Sequence, residues 1–119
     1  DDVVETVYLF FEQQINRCRQ VGINQIMLDP GIGFGKTLEH NLMLLKQLSH
    51  FQSLQCPIMI GTSRKSFINR ISPSAVDQRL GGSIAANLLA WRWGAKVFRV
   101  HDVFDMKQAF DVSLKLEDC

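Results

Sequence analysis

The chain has 119 residues and a mass of 13.6 kDa, enough for one domain at most. With 46% hydrophobic and 21% charged residues its composition is that of a folded globular protein, which excludes an intrinsically disordered chain. Thirteen basic and twelve acidic residues leave a net charge of +1 without a basic block, so a general nucleic-acid binder is not expected. Because no apolar stretch approaches the ~20 residues of a membrane span and no cationic signal segment opens the chain, the sequence predicts a cytoplasmic protein without a membrane partner.

Hydrophobic periodicity predicts one helix followed by three strand–helix units. Apolar residues at steps of three and four, ending before Gly22, predict the first helix over about 3–21. Short apolar runs predict strands at 26–28, 57–61 and 96–100, and further helices are predicted at about 37–49, 77–93 and 104–116. Short strands that are apolar throughout are covered on both faces, so the pattern indicates a parallel α/β fold.

The chain shows no internal boundary and opens abruptly. No linker, low-complexity tract or shift in composition divides it. It begins with Asp1 and Asp2, lacks an initiator methionine and enters the first helix at once, so we expect it to be part of a longer protein.

Cysteine and histidine positions predict neither a disulfide nor a metal site. Cys18, Cys56 and Cys119 are odd in number and contain no C-x-x-C pair, so reduced thiols are expected. His40 and His50 lie ten residues apart, which is poor spacing for metal ligands.

Each predicted strand ends in polar residues. Asp29 follows the first strand, Ser-Arg-Lys at 63–65 follows the second, and the third ends with Arg99 and His101. Ligand sites in parallel α/β folds lie at the carboxyl ends of the strands, so the three clusters predict one shared site.

Arg99 and His101 are two residues apart and project to the same face of a strand. A phosphate or carboxylate ligand would satisfy an arginine in that position. The other interpretation, equally open at this point, is an internal salt bridge from Arg99 to Asp102 or Asp29, with His101 as an ordinary buried histidine.

The loop over 31–37 is rich in glycine without being a nucleotide-binding motif. Pro30 stands where a P-loop needs glycine and Lys36 where a dinucleotide motif needs it, so nucleoside triphosphate binding is not expected. Phe34 either covers a flat ligand or packs inward within a plain turn. The cluster at 63–65 offers a hydroxyl and two cations to an anionic group, whereas a serine nucleophile is disfavoured because G-x-S-x-G is absent.

Four ordered blocks of this sequence resemble the dihydropteroate synthase family of folate biosynthesis. They are DPGIGFGK at 29–36, GTSRKS at 61–66, RLGGS at 79–83 and RVHDV at 99–103. The resemblance covers essentially the whole chain and matches the carboxyl-terminal part of the family. It implies that residues 1–119 are the carboxyl-terminal fragment of a single pterin-binding domain, namely the last three βα units, with the preceding helix, of a TIM-type (β/α)8 barrel.

The resemblance also implies a reaction and a set of site residues. 6-Hydroxymethyl-7,8-dihydropterin pyrophosphate would condense with p-aminobenzoate to give 7,8-dihydropteroate and pyrophosphate. The implied pterin-binding residues are Asp29, Gly61, Lys65 and Arg99, those for p-aminobenzoate are Phe34, Ser63 and Arg64, those for pyrophosphate are Arg99 and His101, and the catalytic residues are Arg99, His101 and Lys65. A Mg²⁺ ion held by a strand outside this chain, a homodimer and inhibition by sulfonamides are further implications.

Two other functions remain open from the sequence. A pterin-binding methyltransferase shares the fold but serves a corrinoid partner and binds no pyrophosphate. A noncatalytic fragment would serve packing or dimerisation, and three strands of eight predict that the isolated chain is inactive. Trp91 and Trp93 cannot both face inward from one helix, so one is expected to be exposed and available for a subunit contact.

Overall fold

The computed structural model describes residues 2–118 as five α-helices, two 3₁₀-helices and a short parallel sheet. The prediction made for Cys119 lies outside these residues. In chain order the elements are α1 (Val3–Gln20), α2 (Leu38–Lys46), a 3₁₀-helix (Leu48–Leu54), β1 (Met59–Ile60), α3 (Ser66–Ile71), a 3₁₀-helix (Val76–Gln78), α4 (Leu80–Arg92), β2 (Val97–Phe98) and α5 (Val103–Glu117).

The three predicted strands lie side by side and run parallel. Met59 of β1 is in register with Val97 of β2. On the other side of β1, the amide of Leu28 donates to the carbonyl of Pro57 at 2.8 Å, and the amide of Met59 donates to the carbonyl of Leu28 at 2.7 Å. The positions and directions of the strands are therefore as predicted. They are shorter than predicted: β1 and β2 have two residues each, and the first segment makes a single bridge at Leu28.

α1 packs one apolar face against α2 and the 3₁₀-helix that follows α2. The carboxylate of Asp2 accepts the amide hydrogen of Glu5 at 3.1 Å and so caps the first turn. Val4, Phe11 and Ile15 are buried at spacings that place them on one side of the helix. The helix predicted over about 3–21 is thus confirmed to within a residue at its end.

α2 and the 3₁₀-helix that follows it complete the core beneath β1. Thr37 caps α2 by accepting the amide hydrogen of His40 at 3.1 Å. The helix ends at Lys46, three residues before the predicted end, and the chain continues as a 3₁₀-helix that buries Leu48 and Phe51 completely.

The second and third units differ in detail from the sequence prediction. α3, which carries the buried Phe67 and Ile68, has six residues and is too short to show periodicity. Trp93 is the residue after the last turn of α4, so the helical spacing used for the tryptophans does not apply to it. The ring of Trp91 meets that of Phe110 edge-on, with 5.1 Å between the ring centroids. Trp91 and Trp93 are both half-buried, so the prediction that one of them is exposed is wrong.

Two further sequence predictions concern the described residues as a whole. Cys18 and Cys56 are free thiols. None of the helices within residues 2–118 is both long and apolar enough to cross a bilayer.

Candidate active site

The carboxyl ends of all three strand segments meet at one edge of the sheet. Arg99, beyond β2, places its Nη1 atom 3.7 Å from the Oδ2 atom of Asp29, which follows the first segment. The same guanidinium lies against Gly61, just after β1, so close that a Cβ atom there would be 2.5 Å from Nη2. The polar clusters at the strand ends therefore lie together, as predicted, and a ligand site formed by them stays a prediction.

The guanidinium of Arg99 is available to a ligand. Its side chain is 55% exposed, and the ion pair with Asp29 is long and open to solvent, so water and salt screen it. Of the two salt bridges considered from the sequence, the one to Asp29 forms. The one to Asp102 does not, because Arg64 occupies that carboxylate.

Arg64 and Asp102 join the end of β1 to the end of β2. The Nη2 atom of Arg64 donates to Oδ1 of Asp102 at 2.9 Å, and Nε donates to Oδ2 at 3.3 Å. This two-point hydrogen bond raises the pKa of Arg64 above its ordinary value and lowers the pKa of Asp102 below its own. Both groups therefore stay charged around neutral pH.

Ser63 and His101 form a second link between the same two strand ends. The buried Oγ of Ser63 accepts the backbone amide hydrogen of His101 at 3.2 Å and lies 2.9 Å from ring atom Nδ1. With Nδ1 engaged, Nε2 is the ring nitrogen left to meet a ligand. His101 is exposed, so its interpretation as an ordinary buried histidine is wrong.

Lys65 connects the end of β1 to the glycine-rich loop. Its ammonium group donates to the carbonyl of Ile32 and lies 4.3 Å from the centroid of the Phe34 ring. Phe34 is 66% exposed and does not pack inward. Partial burial, followed by the nearby charge of Arg99, lowers the pKa of Lys65 below its ordinary value.

Asn41 of α2 holds the glycine-rich loop from below. Its side-chain oxygen accepts the amide hydrogen of Gly33 at 2.8 Å, and Gly33 has a φ of +90°, a conformation that favours glycine. Asn41 is buried, and the sequence prediction did not include it. The sequence did carry a signal for Asn41: a polar residue on the apolar face of a predicted helix needs a hydrogen-bond partner when it is buried.

The structure brings the eight predicted site residues to this one edge of the sheet. Their contacts are Asp29 with Arg99, Gly61 with Arg99, Ser63 with His101, Lys65 with Phe34, and Arg64 with Asp102. The roles assigned to them by resemblance stay predictions.

The pKa of Lys65 provides a direct test of this arrangement. We expect the Arg99→Met change to raise that pKa, because it removes a repelling positive charge, and the Asp29→Asn change to lower it further, because it removes an attracting carboxylate. The measurement is an NMR titration of lysines carrying ¹³C-methyl groups. Arg92→Met is the control, since Arg92 is exposed and pairs with Glu117 at 3.2 Å. An unchanged Lys65 midpoint in Arg99→Met would contradict the arrangement.

The same shift has a consequence for stability. Because folding lowers the pKa of Lys65, the protonated amine costs stability at every pH below the folded-state pKa. That cost fades as the pH rises through the folded-state pKa toward the ordinary value of 10.5.

Fold and site together define a class of protein: part of a parallel (β/α) barrel whose ligand site lies at the carboxyl ends of its strands. The family model described as "Pterin binding enzyme" matches residues 1–101. The chain belongs to this family.

The similar proteins are dihydropteroate synthases. The enzyme of Escherichia coli K12 is 43% identical over 114 residues, which are 94% of this chain and 40% of the relative. That of Haemophilus influenzae is 42% identical over 105 residues, 87% of this chain and 38% of the relative. The chain thus spans about 40% of the length of these curated relatives.

Solved structures show the same partial correspondence. The dihydropteroate synthase of Xanthomonas albilineans in complex with 7,8-dihydropteroate superposes with a TM-score of 0.96 at 37% identity, covering 100% of this chain and 48% of the other. The Thermus thermophilus enzyme in complex with 6HMPPP gives a TM-score of 0.93 at 44% identity, covering 98% and 47%. The predicted fold class, three βα units and a preceding helix from the end of a TIM-type barrel, is confirmed.

Proposed function

We propose that the protein containing this chain is a dihydropteroate synthase, a transferase that condenses 6-hydroxymethyl-7,8-dihydropterin pyrophosphate with p-aminobenzoate. One observation carries the proposal: a half-exposed guanidinium, that of Arg99, lies beside the carboxylate of Asp29, on the strand end that also bears His101. A carboxylate acceptor next to two cationic or N–H donors suits a substrate with a heterocycle at one end and a pyrophosphate at the other. The similarity to dihydropteroate synthases supports the same conclusion.

The pterin end is proposed to lie over Gly61. Asp29 accepts hydrogen bonds from the amino-pyrimidine edge of the ring, and Lys65 contacts the ring from the side of the glycine-rich loop. Arg99 stacks on the pterin with its planar guanidinium. The close approach of Arg99 to Gly61 supports this placement, because it keeps the guanidinium at the strand end beside Asp29.

Catalysis is proposed to depend on stabilising the leaving group. The carbon–oxygen bond to pyrophosphate breaks and leaves a cationic pterin methylene group. The neutral aromatic amine then bonds to that carbon, and its nitrogen gives up a proton to solvent. Negative charge develops on the departing pyrophosphate, where Arg99 and Nε2 of His101 meet it. No side-chain nucleophile is required, because positioning the two substrates supplies much of the rate.

p-Aminobenzoate is proposed to bind between Phe34 and the turn at the end of β1. The exposed Phe34 ring packs on the benzoate ring. Ser63 and Arg64 receive the carboxylate, and Arg64 does so with N–H groups that its ion pair with Asp102 leaves free. Sulfonamides, which also carry an aniline ring, are proposed to compete at this position.

Mg²⁺ is proposed to be held by a residue outside this chain. Within residues 2–118 no three His, Cys, Asp or Glu side chains lie together as metal ligands. The two aspartates at the strand ends, Asp29 and Asp102, each pair with an arginine, so they do not offer a cation site. No step of the reaction above is assigned to the metal.

A homodimer and a cytoplasmic location complete the proposal. An apolar groove of about 370 Å³ runs between α2, α3 and α4, with Phe67, Leu89 and Trp93 among its lining residues. Such a groove supports a subunit contact through these helices. Measuring the mass of the full-length protein in solution tests it, and a monomer at micromolar concentration would contradict it.

The test of the function is pyrophosphate release from the dihydropterin pyrophosphate, with and without p-aminobenzoate and Mg²⁺. We expect release from the full-length protein only when both substrates are present, and none from residues 1–119 alone, whose outer strand segments have open edges. Transfer of a methyl group to a corrinoid instead would identify a methyltransferase. No turnover of either kind by a folded full-length protein would support the noncatalytic interpretation.

A further inference from the structure

Three polar residues, one just before α4 and two within it, form a stripe that the proposed function does not use. Arg79, Ser83 and Asn87 are four residues apart, which places them on one side of the helix. Ser83 is 3% exposed and Asn87 is fully buried. We call Arg79, Ser83 and Asn87 the polar stripe. It faces the turn of residues 62–65 that follows β1.

The polar stripe holds this turn at three points, two on the backbone of Arg64 and one on the side chain of Thr62. Nη1 of Arg79 donates to the carbonyl of Arg64 at 2.9 Å, and Oγ of Ser83 accepts the amide hydrogen of Arg64 at 2.9 Å. Oδ1 of Asn87 accepts the hydroxyl hydrogen of Thr62 at 2.8 Å. Both polar groups of the Arg64 backbone are therefore bonded to the stripe.

Arg79 is itself anchored at a cost. Its Nη2 atom donates to the carbonyl of Ser74 at 3.0 Å, which fixes the guanidinium between two carbonyl groups. Its Nε is buried without a partner among the described residues. A buried donor without a partner costs stability. The hydrogen bonds to the carbonyl groups of Arg64 and Ser74 therefore have to offset this cost to keep the side chain in place.

Arg64 needs such support because its backbone is left-handed, with a φ of +58°. It occupies the third position of a turn closed by the amide of Lys65 donating to the carbonyl of Thr62 at 3.2 Å, where glycine or asparagine is usual. An arginine in this conformation persists only when its surroundings fix it. Glycine would relieve the strain but would lose the side chain that pairs with Asp102.

We propose that the polar stripe is a positioning device for the site: by fixing Arg64 in the left-handed conformation, it sets the directions of the two neighbours, Ser63 toward His101 and Lys65 toward the glycine-rich loop. If Arg64 relaxed to a right-handed or extended conformation, the chain on either side would rotate and both contacts would be lost. The effect on turnover rests on the proposed function, whereas the effect on His101 does not.

The experiment uses the full-length protein with Arg79→Met and Ser83→Ala. Each is expected to lower kcat/KM for pyrophosphate release by about tenfold to a hundredfold, the loss typical of a displacement of about 1 Å at a reacting centre. The ¹⁵N signals of the His101 ring, measured without substrate, are expected to move in both variants because the bond to Ser63 is disturbed. Arg79→Lys, which keeps one donor to Arg64, is expected to restore part of both effects.

Arg92→Met and Ser113→Ala are the matched controls, since they make the same changes on α4 and α5 away from the turn. If the stripe had a purely structural role, the test variants would lose thermal stability, but the His101 signals of the folded protein would not move and its kcat/KM would stay within about twofold of the original. That result would overturn the proposal. If Ser83→Ala does not fold, the comparison of Arg79→Met with Arg79→Lys decides. Moved His101 signals in a protein that lacks the condensing activity would support the positioning role and overturn the proposed function.

Discussion

Replacing Arg99 with methionine is expected to lower kcat/KM for pyrophosphate release by about a hundredfold to a thousandfold in the full-length protein. That range is typical when one donor to a developing negative charge is removed. The guanidinium is the most accessible cation at the strand ends that also contacts two other site residues, Asp29 and Gly61. Methionine keeps much of the length and apolar volume of the side chain, so the change removes the charge and the N–H donors with little loss of packing.

Two comparisons make the Arg99 prediction specific. Arg92→Met is the same substitution at an exposed arginine that pairs with Glu117, and we expect it to leave kcat/KM within about twofold of the original. Arg99→Lys retains the charge but not the planar, forked donor, so partial activity is expected. Equal activity of the Arg99→Met and Arg92→Met proteins would contradict a role for Arg99 at the leaving group.

Gly61→Ala is expected to act through Arg99 without touching it chemically. The added Cβ would be 2.5 Å from Nη2 and 3.0 Å from the central carbon of the guanidinium, so the head group must move. Because these atoms are the far end of a flexible side chain, the backbone need not shift, and we expect the free energy of unfolding to change by less than about 1 kcal/mol. kcat/KM is expected to fall by about tenfold to a hundredfold, because the displaced group no longer meets the substrate correctly.

A double-mutant cycle separates this explanation from general damage. In an Arg99→Met background, Gly61→Ala should have almost no further effect on kcat/KM, since the group it displaces is already gone. Gly81→Ala is the control: a Cβ there meets nothing within 4 Å. It should leave activity unchanged and add up to about 1 kcal/mol of stability within α4. Additive losses for Gly61→Ala and Arg99→Met would contradict the displacement mechanism.

The sequence predicted the order of the strands and of the longer helices, though not α3 or the 3₁₀-helices, and the edge of the sheet at which the polar clusters meet. It did so because apolar runs that are covered on both faces end where polar residues begin, as at Asp29 and Arg99. Strand length could not be predicted in the same way. The number of ladder bonds depends on how many neighbours a segment has, and Leu28 makes only a single bridge.

The pairing of charges at the site was harder to predict than its location. Spacing along the chain allowed Asp102 to pair with Arg99, but the left-handed backbone of Arg64 brings a different guanidinium to that carboxylate. The arginine at position 64 does not indicate a positive φ, because glycine and asparagine are the residues usually found in that conformation. The polar stripe escaped prediction for a different reason. The helix predicted over about 77–93 contains all three of its members at four-residue steps, but polar residues at that spacing ordinarily mark the exposed face of a helix.

The two links between β1 and β2, Arg64 with Asp102 and Ser63 with His101, have a consequence for the energetics of binding. Groups that are already held in place lose little conformational entropy when a ligand arrives, so Ser63, Arg64 and His101 are preorganised at the ends of the two strands. The glycine-rich loop is held at Gly33 by Asn41 and contacts the turn after β1 through the long side chain of Lys65, whereas the ring of Phe34 is exposed, so the ordering on binding falls mainly on Phe34. Substitutions in the loop are thus a route to tighter or weaker binding of the aromatic amine that leaves the departure of pyrophosphate unchanged.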